Sequence, residues 1–489
     1  MKKIICLMLA FLMIFSMVAC GNTNTPEEST NDTEAPVTDG DATTGESTTE
    51  EATTEEATTE EVTTDPFADK ESAPEYKGVF KTGYAREIIT PSVPTGEYTV
   101  VADDLYATCL AVNDGDKTAV FISLDLKSLM PNYCDSVKNK VKAATGIPLE
   151  NIFVSVTHTH STIEISESST WAFNVYNKIA TAAKAAVNDL SDTEMFIGQG
   201  STPGAAFVRR YIHKDGSMSS INPKEEGAVA CVGEADDTLQ VVRFVRKDKK
   251  DVVLTNWQGH LAHAISLMPE NISADITHYL RRDIEAADDD AQVIFFAGAS
   301  GNLNLTPPNA SSRKYSDYIA VAKAIAKETL EVLDGNLIAI NAGKINIKRE
   351  VYAASNSQET PEEVAAAQGR LDRHEVSGHE EVRDKYIVAR NKSATSDLRI
   401  AAVSIGDLAF VTAPYEMFDN NGVQIKEGSP FKMTVVVTNS DGAWAYMPSI
   451  EAWTTYGGYE TWCTYFAPGT GEQLVSEFLR MLNEVRAAN

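Results

Sequence analysis

Short runs of Val, Ile, Leu and Phe recur along the chain at 118–124, 152–156, 252–254, 293–296, 408–411 and 433–437. Each is too short for an ordinary helix and rich in β-branched or aromatic residues, which predicts strands in a buried interior. Between and around them, amphipathic stretches at 135–145, 172–190, 277–288, 315–333, 361–391 and 472–487 predict helices. The alternation predicts an α/β fold, a mixed β-sheet core flanked by helices. Hairpin-like pairs near 338–350 and 398–413 are the reason to expect a mixed rather than a parallel sheet.

Polar residues with chemical potential follow the ends of these runs. The run at 152–156 leads into Thr157-His158-Thr159-His160-Ser161, and the run at 252–254 leads to Gln258-Gly259-His260. Those at 293–296, 408–411 and 433–437 lead to Gly298-Ala299-Ser300-Gly301-Asn302, Pro414-Tyr415-Glu416 and Trp444-Ala445-Tyr446. Strand ends are where a rigid α/β scaffold presents functional groups, so five ends are expected to meet in one cleft. Only eight histidines occur in 489 residues. On a continuing strand, residues two apart share a face, which would turn His158 and His160 toward that cleft together. Imidazole is a metal ligand and a general base, so the pair marks where chemistry is expected. His263, three residues from His260, is a rival partner if both lie on one helix face. His213, His278, His374 and His379 have no comparable setting and read as surface or capping residues.

The ends of the chain divide it. Lys2 and Lys3 precede an apolar stretch from Ile4 to Met17, followed by Val18-Ala19-Cys20. This resembles a bacterial lipoprotein signal, with Met17 where Leu is usual, and implies lipidation of Cys20 and a protein anchored at the surface of the bacterial membrane. Residues 21–75 carry seventeen Asp or Glu against one Lys, in Thr/Glu-rich repeats. Such a segment cannot bury enough apolar surface to offset its ordering entropy, and is expected to be a disordered acidic stalk. Residues 76–489 are then expected to be the folded domain that carries the candidate chemistry. The formal net charge is −28, and what remains outside the stalk is still negative, which argues against nucleic acid as a partner. Cys109, Cys134, Cys231 and Cys463 show neither zinc-finger spacing nor a disulfide framework.

Taken in order, the motifs resemble the neutral (non-lysosomal) ceramidases. They are Gly83-Tyr84-Ala85-Arg86-Glu87-Ile88-Ile89-Thr90-Pro91, Ser123-Leu124-Asp125, Thr157 to Ser161, Gly259-His260, Gly298 to Asn302, Pro414-Tyr415-Glu416, Ala445-Tyr446 and Gly458-Tyr459-Glu460. The resemblance implies one catalytic Zn2+ held by His158, His260, Glu416 and Tyr446. Nitrogen and oxygen ligands suit zinc, and a catalytic site leaves room for a water whose pKa the metal lowers to about 7. It further implies that His160 orients substrate, stabilises an oxyanion or supports a ligand, and that Ser300 contacts the reacting groups. Of Arg209 and Arg210, one would anchor substrate and the other form a salt bridge. The implied activity is hydrolysis of an amide in an N-acyl lipid.

Departures from the family pattern surround the site. Thr162-Ile163-Glu164-Ile165 stands where ceramidases have a Gly- and Pro-rich turn, and Gly301 replaces the proline of their Ser-Pro-Asn. The chain ends just after a predicted helix, where the family continues into a β-sandwich domain. Two other readings therefore stand beside ceramide hydrolysis: a zinc hydrolase of another amide or ester on the same scaffold, and a non-catalytic substrate-binding lipoprotein.

Overall fold

A computed structural model describes residues 66–165, 170–335 and 337–488. The leader, Cys20 and most of the acidic stalk lie outside the described residues. The folded unit begins at Pro66, ten residues earlier than composition suggested. Phe67 and Ala73 are buried, the Ala73 amide donates to Asp407, and Lys70 Nζ reaches the Ser429 carbonyl at 2.9 Å. One well-placed aromatic outweighs the polar average of its neighbourhood.

Nine strands form the large sheet. They are β1 (Lys81–Ile88), β2 (Tyr106–Asn113), β3 (Thr118–Leu124), β4 (Ile152–Val156), β5 (Ser191–Ser201), β6 (Thr238–Arg246), β7 (Asp251–Trp257), β8 (Ala291–Ala297) and β9 (Ile338–Ile340). Their order is β8-β7-β6-β5-β1-β2-β3-β4, with β9 also paired to β5. A second sheet carries β10 (Ile345–Ser355), β11 (Thr395–Ile405), β12 (Leu408–Thr412) and β13 (Met433–Val437) in sequence order. The expected hairpin near 338–350 does not form, because β9 pairs with β5 whereas β10 pairs with β11. The expected one near 398–413 does form, between β11 and β12.

One pattern occurs three times. In β1 to β4, β5 to β8 and β10 to β13, two antiparallel pairings are followed by one parallel pairing. A parallel pair needs a crossover, and each has a helix there: α1 (Pro131–Thr145), α3 (Ile276–Ala287) and α5 (Asp419–Gly428). Each unit is followed by a longer helix: α2 (Thr170–Asn188), α4 (Tyr318–Gly335) and α6 (Thr470–Ala487). Each helix pair packs over an apolar core of its own unit, and the opposite faces of all three units share a central core. Phe121 stacks on Phe153 at 4.9 Å and meets Phe410 of the third unit at 4.6 Å.

The parallel pairs are joined in a ring. Ser123 Oγ of the first unit donates to the Phe295 carbonyl of the second at 2.6 Å. Asn256 Nδ2 of the second donates to the Val436 carbonyl of the third at 3.0 Å. The third unit closes the circle through the Asp441 amide, which donates to the Val154 carbonyl at 2.7 Å. These are buried polar groups that need partners, so each inter-unit contact also satisfies a donor. No described helix is long and apolar enough to cross a membrane.

Candidate metal and active site

The ring places the carboxyl ends of three parallel pairs side by side, the position where open α/β sheets offer sites. His158 follows β4, His260 follows β7, Ser300 follows β8 and Glu416 follows β12. All are buried or nearly so.

His158 and His160 converge, but not by strand alternation. The strand stops at Val156, and His158 takes a left-handed φ of 67°. Such a backbone is costly for a residue with a β-carbon and persists where neighbours hold it. Here the Thr157 amide donates to the Leu124 carbonyl at 2.8 Å and the His158 amide to Leu126 at 3.0 Å. His160 is held by its own amide on the Leu261 carbonyl at 2.9 Å, within the His260 loop. The Tyr98 hydroxyl pins the next turn through the Thr162 carbonyl at 3.1 Å.

Three imidazoles then face one another. His160 Nε2 lies 3.4 Å from His158 Nε2 and 3.1 Å from His260 Nε2. Their ligand-capable nitrogens form the metal-type His/Cys/Asp/Glu group found among the described residues. Glu416 Oε2 stands 3.3 Å from His158 Nε2 and 4.0 Å from His260 Nδ1.

The protonation pattern tests whether a metal fits. His158 Nδ1 faces the Lys127 carbonyl at 2.7 Å, so that nitrogen donates outward and Nε2 is the one turned to the cluster. His260 Nδ1 faces the Ser300 carbonyl at 3.4 Å, a longer contact with the same sense. A backbone carbonyl behind the outer nitrogen is how metal-bound histidines are oriented. Glu416 Oε2 is buried without a hydrogen-bond partner, 3.3 Å from His158 Nε2. Imidazole nitrogens and a carboxylate oxygen gathered this closely are the groups a cation site uses, and nitrogen-plus-carboxylate ligands suit zinc. The residues fit the ion.

Electrostatics agree. Burial pushes His160 and His260 well below the ordinary imidazole range, with His158 and nearby cations adding to the effect, so both are neutral at physiological pH. Burial raises the Glu416 carboxyl, but His158 and Arg209 outweigh it and hold it below the usual range. Burial, then Glu416, keeps the Tyr446 phenol protonated. The Arg209 guanidinium lies 5.3 Å over the Tyr446 ring.

Arg209 and Arg210 share one carboxylate. Arg209 Nε donates to Glu460 Oε1 at 2.8 Å and Arg210 to Oε2 at 3.0 Å, while Arg209 also reaches the Gly301 carbonyl at 2.8 Å. Both arginines thus form salt bridges, where one was expected to, and Arg209 is the one set against Tyr446. Glu460 is fully buried, and its place in Gly458-Tyr459-Glu460 was the signal for a site role that sequence reading left unassigned.

His263 stands apart. It starts a short helix, His263–Leu267, and its Nε2 accepts from the Leu305 amide at 3.2 Å. It lines a cavity of about 180 Å³ with Phe207, Leu305 and Tyr315. His213 is not a surface residue: it is buried, with its ring between the Gly227 carbonyl and Ser219 Oγ.

Fold and site together define a mixed α/β protein with a buried histidine–carboxylate centre at the meeting point of three parallel strand pairs. Among solved structures the chain is similar to neutral ceramidase from Pseudomonas aeruginosa, at 16% identity and a TM-score of 0.63, covering 84% of this chain and 75% of that one. It is likewise similar to a ceramidase complexed with C2, at 16% identity and a TM-score of 0.62, covering 84% and 76%. No family model matches the sequence, and no curated relative does. The fold is therefore that of the ceramidase structures.

Proposed function

We propose that this chain is a zinc-dependent hydrolase of ceramidase type, cleaving the amide bond of an N-acyl lipid at the outer face of a bacterial membrane to which Cys20 anchors it. The observation that carries the reading is the donor-free Glu416 Oε2 set against three inward-facing imidazoles. His158, His260 and Glu416 would hold the ion, with the Tyr446 oxygen beside Glu416 completing the set. A bound zinc supplies Lewis-acid polarisation of a carbonyl and a water acidified to near neutrality.

The chain's own residues do the rest. Neutral His160 Nε2 takes a proton from the attacking water and returns it to the leaving nitrogen. Arg209, fixed by Glu460 and Gly301, packs over the Tyr446 ring and holds its oxygen beside Glu416. Ser300 stands beside them, its carbonyl 3.4 Å from His260 Nδ1.

A second reading, an amide or ester other than ceramide, is favoured by Gly301. Its amide donates to the Met417 carbonyl at 2.7 Å, a bond proline lacks, so this wall of the site departs from the Ser-Pro-Asn pattern. The test is metal analysis of the full-length chain followed by assay of N-acyl sphingosines beside simple N-acyl amides and esters. About one zinc per chain is expected from a single site, lost in His158→Ala and His260→Ala. A folded chain that takes up no zinc and turns over none of the panel would sink the enzyme reading. Turnover of the simple compounds alone would remove ceramide as substrate.

A further inference from the structure

We infer that Ser273-Ala274-Asp275, the entry to α3, is a positioning element for the histidine centre, with Asp275 as its principal residue. The inference rests on the metal-centre reading above. All three residues are fully buried. The Ser273 carbonyl accepts from Thr159 Oγ1 at 2.7 Å, and the Ser273 amide donates to the Ser161 carbonyl at 2.9 Å. These two bonds bracket His160. Asp275 Oδ2 accepts from the amides of His263 at 3.0 Å and Ala264 at 2.8 Å, which closes the loop carrying His260. One tripeptide therefore grips both histidine-bearing loops, and the His160 amide on Leu261 ties those loops to each other.

The element is itself anchored. Asp103 accepts from Ser273 Oγ at 2.6 Å and from the Ala274 amide at 2.7 Å, and Ser273 Oγ in turn accepts from the Asp275 amide at 3.0 Å. Ordinary helix capping does not require this arrangement. A cap needs one carboxylate oxygen on a first-turn amide, and Asp275 Oδ1 does that for Ile276 at 2.8 Å. The other oxygen and the Ser273 backbone are given to the histidine loops. Asp275 also sits at φ 55°, ψ −134°, a conformation that residues with a β-carbon adopt only when their surroundings demand it.

The test is zinc affinity, measured by chelator competition on the full-length chain. Asp275→Asn puts an amide N–H against backbone donors, and Ser273→Ala removes the hydroxyl that joins Asp103 to Asp275. Both are expected to weaken zinc binding about 10–100-fold, as loss of supporting partners does at metal sites, and to lower kcat with little change in KM. Asp384→Asn is the control: it breaks a buried carboxylate–Arg370 pair between the Pro361–Asp372 and Gly378–Arg390 helices and should lower Tm with zinc affinity unchanged. If Asp275→Asn fails to fold, Ser273→Ala decides on the same measurement. Wild-type zinc affinity in the folded variants would overturn the positioning role alone. A wild-type chain that takes up no zinc would overturn the metal reading and this inference with it.

Discussion

A β-carbon added at Gly301 would lie 2.6 Å from the carbonyl oxygen of Glu416. The two loops that carry Ser300 and Glu416 thus approach as closely as backbone allows, and only glycine permits it. Gly301→Ala is expected to push the Glu416 segment away from His158. The overpacking should destabilise the fold by about 1–3 kcal/mol. Zinc retention on dialysis should drop with it, and full zinc content with an unchanged Tm would refute the close-contact account.

Glu416→Gln preserves shape and removes the charge that the imidazole cluster faces. Zinc affinity and turnover should both fall, and stability in chelator at neutral pH should fall as well, because burial is outweighed by His158 and Arg209, which favour the charged carboxylate in the native state. The comparison needs only a metal titration and a thermal melt with and without chelator. Unchanged zinc content and rate would remove Glu416 from the site.

Phe121 joins two units of the central core through Phe153 and Phe410. Its truncation to Ala should cost about 3–5 kcal/mol, read as a lower urea midpoint. Because the cavity would open beneath the converging strand ends, zinc affinity should fall as well. A loss of stability below about 1 kcal/mol would mean that the core closes readily around the gap.

A pH effect lies hidden in the His263–Asp275 contact. Burial lowers His263 to about 4 and raises Asp275 to about 6. Between pH 4 and 6.5 the unfolded chain protonates His263 and the native one does not, so this group makes stability fall as pH falls. Asp275 does the reverse between its unfolded value of 3.8 and about 6: the native state holds the extra proton, and stability falls as pH rises. The two contributions oppose each other over nearly the same range. Relative to wild type in chelator, His263→Gln should therefore gain stability on acidification from 6.5 to 4, and Asp275→Asn should lose it. Parallel pH profiles for all three proteins would refute the opposition.

The interior strands could be read in sequence because β3, β4, β8, β12 and β13 are nearly unbroken apolar runs. The antiparallel strands that open the first two units could not. Lys81–Ile88 and Ser191–Ser201 mix glycine, threonine and charge with their apolar positions, since one side of each is less deeply covered. The stretch 361–391 reads as one helix but is two, parted where His374 and Gly378 take positive φ. At the site, His158, His260, Ser300 and Glu416 were legible as strand-end residues. The backbone reversal at His158 was not, because it depends on the carbonyls of Leu124 and Leu126. Nor was Asp275, whose partners lie on two separate loops and meet it only in three dimensions.

The ring of three units also has a meaning in time. His158, His260 and Glu416 are contributed one by each unit, so no pair of units contains all three of the proposed ligands. A chain made from its N-terminus cannot complete the centre until the strands around residue 416 have emerged and closed on Val154. Under the proposed ligand set, metal capture would report that all three units have assembled, and would come only at the end.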